Sequence, residues 1–162
     1  EWLSSNNINI ALHGVIHAED RLNEFAGFQY SDIENAVMAS KSMIEAHSNT
    51  PVIDYIPPHN VIDANTVEVL SRMGFKNIYG GPETDDRIKV LIVEKGMEYR
   101  HSEAPLEYGR SDELMQRGAI EYLTNECKER DVWLTLHWPW EHNIGLTWLQ
   151  RFMIRLHDSS VI

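Results

Sequence analysis

At 162 residues and 43% hydrophobic, the chain can bury one core, and nothing in its length demands a second domain. Its 25 acidic against 14 basic residues leave a formal net charge of -11, with Lys and Arg scattered rather than clustered, which disfavours nucleic acid as a partner. A lone Cys127 excludes an intrachain disulfide and a cysteine-rich zinc finger, and no apolar run reaches the ~20 residues of a membrane span. Any metal must therefore be held by His, Asp or Glu.

In chain order, "INIALH" (8–13) reads as a short buried strand that ends on His13, with a loop rich in Glu, Asp and Asn after it. "SDIENAVMASKSMIEAH" (31–47) reads as a helix, with Ser31 and Glu34 in a capping-box pattern and Ile33, Val37, Ser40 and Ile44 along one face. "PVIDYIPP" (51–58) is a strand stopped by two prolines. "DANTVEVLSRMGF" (63–75) is a helix with Asp63 as N-cap and Gly74 as its left-handed stop. "KNIYGG" (76–81) and the β-branched run "IKVLIVE" (88–94) read as strands, with "PETDD" as the loop between them. After an irregular stretch, "SDELMQRGAIEYLTNECKER" (111–130) is helical, "DVWLTLHW" (131–138) is a strand and "LTWLQRFMIRLH" (146–157) is a last helix. Strand followed by helix, several times over, predicts an α/β domain with a largely parallel sheet or barrel, whose ligands sit at the carboxyl ends of the strands.

That rule singles out three places. His13 and His17 lie four apart at the first strand end, the "PPHN" turn (57–60) follows the second strand, and His137 lies at the end of the late strand. In a parallel barrel all three open on the same side, so polar groups remote in sequence converge there. Imidazole is the commonest protein ligand for zinc, and a strand end is a rigid place from which to aim it.

"HGVIH" after a strand, "YIPPHN" before a helix and "LTLHWPW" at a late strand end resemble, in that order, motifs of the polysaccharide deacetylases, carbohydrate esterase family 4 or the NodB-homology domain. The resemblance spans nearly the whole chain and implies a partial, distorted (β/α) barrel of the NodB-like type, residues 1–162 being one domain and a fragment of a longer one. It implies a hydrolase that removes N- or O-acetyl groups from a bacterial polysaccharide or amino sugar, dependent on zinc or another divalent metal. His13 and His17 are then metal ligands, and His137 is the general acid. Pro58 and His59 would line the groove and Trp138 and Trp140 face a sugar ring; read from the residues alone, "PPHN" is equally an ordinary turn and the two tryptophans are equally core packing. Apart from the resemblance, Tyr108 and Arg110 precede a helix N-terminus where an anion could bind, so Arg110 is a candidate substrate contact or equally a loop anchor.

The departures are as informative. The Asp-Asp pair of the family's first motif, which supplies the base and a third ligand, has no counterpart in these residues, so the third protein ligand is not identified. Ile56 stands where the third motif carries Arg, and Asn60 where it carries Gly. Glu19, Asp20, Asp85 and Asp86 are the other carboxylates within reach in sequence, and each is as readily a solvated charge or turn former. A catalytically degenerate module that binds glycan or a protein partner, and an amidase acting on small C–N substrates, stand as alternatives. Protein partners and compartment stay open.

Overall fold

The computed structural model describes residues 9–17, 20–103, 113–126, 128–129, 133–134, 150–151, 154–155 and 157–158. The chain divides into two compact units, Glu1–His101 and Ser102–Ile162.

The first unit is α/β. Its strands are β1 (Ala11–His13), β2 (Asp54–Ile56), β3 (Asn77–Gly80) and β4 (Glu98–Glu103), the last crossing into the second unit. They are parallel, and they neighbour one another in chain order, from β1 through β4, without closing on themselves. Between them run α1 (Tyr30–Ser48), α2 (Ala64–Arg72) and α3 (Asp86–Glu94). A sheet whose strand order never reverses, joined by right-handed crossovers, keeps its helices on one face. In keeping with this, α1 packs on α2 and α2 on α3. Leu12, Tyr55 and Ile78 from three adjacent strands meet Ile33 and Val37 of α1, Val67 and Leu70 of α2 and Ile92 of α3 in one buried cluster. Each such aliphatic side chain is worth about 1.5–3 kcal/mol of burial.

Local chemistry explains most of these elements. Asp63 caps α2 by accepting from the Thr66 amide at 2.8 Å, and Gly74 turns the chain at φ +78°. The capping box expected at Ser31 and Glu34 is not what starts α1: the helix begins at Tyr30, Gln29 occupies the N-cap, and no side chain caps it.

The run 88–94 is a helix, not a strand. Asp85 accepts from the Arg87 amide at 2.8 Å and so provides a helix start, and Ile88, Leu91 and Ile92 pack inward at helical spacing while Val90 and Val93 stay exposed. The strand lies one segment later, in "EYRHSE", where charged residues alternate with Tyr99.

In the second unit, α4 (Glu113–Glu126) matches the predicted helix, with Leu123 buried. Ser102 and Glu103 pair in parallel with Trp133 and Leu134 of β5 (Trp133–Leu134). Among the described residues no helix is long and apolar enough to cross a membrane.

Candidate metal centre

Parallel strands in consecutive order place their outgoing loops along one edge, and three of these loops touch in sequence, the first and second through ring and packing contacts and the second and third through hydrogen bonds. β1 runs out through Gly14 to His17, β2 through Pro57 to Asn60, and β3 through Gly81 to Thr84. His13 is the last residue of β1, opposite Ile56 in the register, and its Nδ1 lies 3.1 Å from the Ile56 carbonyl oxygen. A ring nitrogen so placed donates its proton to the carbonyl, which fixes tautomer and ring orientation and makes Nε2 the nitrogen that would ligate.

The loop after β1 is wrapped around Glu24, a side chain only 2% exposed. Its Oε2 accepts the amides of Val15 and Ile16 at 2.8 Å each and of His17 at 3.3 Å. Its Oε1 accepts the Tyr55 hydroxyl at 2.7 Å. Three successive N–H groups on one carboxylate oxygen form a nest, and they hold His17 at φ +46°, a left-handed conformation few side chains adopt. Burial, with the negative charge of Glu24 beside it, pushes the Tyr55 hydroxyl well above its ordinary pKa, so it stays a donor. Gly14, at φ +60°, allows the loop to touch the next one: a Cβ there would come within 2.8 Å of Pro58 Cδ and 2.9 Å of Glu24 Oε1.

The second loop is a single 3-10 turn, Pro58–Asn60, with His59 at φ +54° and Asn60 at φ +58°. Asn tolerates the left-handed region, so Asn60 suits this turn. Asn60 also joins the third loop, donating to Glu83 Oε2 at 2.9 Å and accepting from Thr84 Oγ1 at 2.7 Å.

Three imidazoles meet on this edge. The His13 and His17 ring centroids are 5.1 Å apart and those of His17 and His59 are 5.0 Å apart, with the rings edge to face, and all three residues are exposed. Pro58, in the same turn as His59, is buried. As the rings stand, no three His, Cys, Asp or Glu side chains among the described residues are arranged to hold a metal ion. The acidic residues weighed from sequence are engaged elsewhere: Asp20 pairs with Arg21 at 3.3 Å, Asp85 caps α3, and Asp86 pairs with Lys89 at 2.9 Å. Glu19, Arg110, His137, Trp138 and Trp140 lie outside the described residues.

Sequence reasoning named His13, His17 and His59 but gave the last a groove-wall role and overlooked Glu24. No local pattern marks Glu24, because its partners are backbone amides seven to nine positions upstream and a tyrosine in the next strand. No protein-family model, curated protein or solved structure matches this chain.

Proposed function

We propose that this chain is part of a metal-dependent hydrolase that removes N- or O-acetyl groups from a bacterial polysaccharide or amino sugar, on a NodB-like partial barrel. The observation that supports this reading is the meeting of His13 and His17 with the Pro58–Asn60 turn, at the carboxyl ends of two adjacent parallel strands. A strand order that never reverses agrees with a barrel rather than a doubly wound sheet. The donor set fits zinc, since exposed imidazoles with carbonyl support are its usual ligands, and other imidazole-binding divalent metals suit the same set. His13 and His17 would hold the ion, which when bound polarises an acyl carbonyl and makes water a nucleophile near neutral pH.

The chain's own residues have distinct tasks. The Ile56 carbonyl orients His13, and Glu24 fixes the loop that carries His17. Pro58 and His59 form a wall against which an acetylated sugar lies. His137 gives a proton to the departing amine or alcohol, Trp138 and Trp140 offer flat faces to the ring, and Arg110 adds a polar contact. A His137→Ala variant is expected to retain zinc while acetate release from acetylated glucosamine oligomers falls by ~10²–10⁴-fold. An unchanged rate would remove His137 from the mechanism.

A glycan-binding module without turnover is the second reading. It is favoured by Glu24, a buried carboxylate beneath the first loop, having its oxygens taken by three amides and a hydroxyl, and by Ile56 in place of a charged partner. Saturable binding of those oligomers with no acetate released, zinc present, would select it.

A further inference from the structure

We propose that His59 is the third protein ligand of a divalent-metal site opened by His13 and His17, a three-histidine set drawn from two adjacent strand ends. The inference rests on the metal-site part of the reading above. It goes further in drawing the third ligand from the loop after the next strand.

Distance supports it first. Two imidazoles bound at about 2.0–2.1 Å to one tetrahedral zinc have ring centroids about 5 Å apart. The two measured separations are 5.1 and 5.0 Å. His17 thus stands at that spacing from each of the other two, and the rings would still have to turn for three nitrogens to meet at one point.

An edge-to-face ring contact has a similar spacing. Such a contact at an exposed surface, however, gives no reason for two of its three members to sit at positive φ. His17 and His59 do so, at +46° and +54°, and backbone strain of this kind persists where surrounding bonds impose it. Here the Glu24 nest imposes it on His17, and the Asn60 bonds to Glu83 and Thr84 hold the turn that carries His59. The chain thus maintains a costly geometry whose visible result is to gather three imidazoles.

Among the described residues, the carboxylates near these loops are engaged elsewhere. Asp20, Asp85 and Asp86 are paired or capping, and Glu24 and Glu83 hold loops together. Three neutral histidines leave the fourth tetrahedral position for water, the arrangement of a catalytic rather than a structural zinc site.

Cobalt(II) is the probe, since its visible absorption reports coordination without any turnover. The wild-type chain is expected to bind one cobalt with the intense visible bands of a four-coordinate site. His59→Asn keeps a residue that suits the left-handed turn, and circular dichroism checks that the fold survives. Loss of an outer-shell partner costs about 10–100-fold in metal affinity, so loss of a ligand should cost at least about 100-fold. His59→Cys should add a near-ultraviolet thiolate-to-cobalt band absent from the wild type, whose Cys127 is the internal control. Unchanged affinity and spectrum in His59→Asn, with no new band in His59→Cys, would overturn the assignment while binding that still depends on His13 keeps the metal-site reading. Cobalt binding that is absent from the wild type, or indifferent to His13→Ala, would overturn both.

Discussion

Replacing Glu24 tests whether the first loop is held as described. Glu24→Ala removes the acceptor for four hydrogen bonds, three amides on Oε2 and the Tyr55 hydroxyl on Oε1. A buried donor left without a partner costs about 1–3 kcal/mol. Ile16 is 51% exposed and His17 is exposed, so water can replace the acceptor for those two amides. Tyr55 is 1% exposed and its hydroxyl has no such recourse, and the Val15 amide is only partly reachable. Two poorly hydrated donors plus the cavity give a loss of about 3–5 kcal/mol. Glu24→Gln retains an acceptor and the volume but loses charge assistance, and should cost about 1–2 kcal/mol. Urea unfolding followed by tryptophan fluorescence measures both. A Glu24→Ala loss below about 1 kcal/mol would refute the reasoning, because four bonds to one buried carboxylate cannot be that weak.

Two further predictions concern stability. Asp63→Ala should cost about 1–2 kcal/mol, as the side chain caps α2 through the Thr66 amide and also accepts from Asn23 Nδ2 at 2.8 Å; a thermal midpoint equal to wild type would contradict it. Lys41 Nζ, 2.8 Å from Glu45, and then the Val52 amide hold the Glu45 carboxyl below its ordinary pKa. A carboxyl lowered on folding contributes stability above its unfolded pKa and loses it as pH falls through the folded value. Glu45→Gln should therefore be less stable than wild type at neutral pH and converge with it in acid, and a gap that widens on acidification would show the sign to be wrong.

How legible the fold was depended on whether a residue's partners lay close in sequence. α2 was plain because Asp63 and Gly74 bracket it and both act within one turn of the helix. The segment 88–94 misled because β-branching is a local property, while the decision between helix and strand was made by which side chains found the core. Val90 and Val93 did not, at 58% and 63% exposure. β4 was invisible for the converse reason: Glu98 and Arg100 give it a polar look, yet Glu98 to His101 pair with β3. At the site, His13 and His17 were legible from a strand end and a spacing. His59 was noticed as part of a turn, but its approach to His17 needs β2 beside β1 and two left-handed residues. Glu24 could not be found, since it is a charged residue in a polar stretch whose role exists only after folding.

Calorimetric titration of zinc into the chain and into a His13→Ala/His17→Ala double variant tests the metal-site claim most directly. The account predicts saturable binding of about one zinc per chain, lost in the double variant. No saturable binding by the wild-type chain, or equal binding by both proteins, would contradict it.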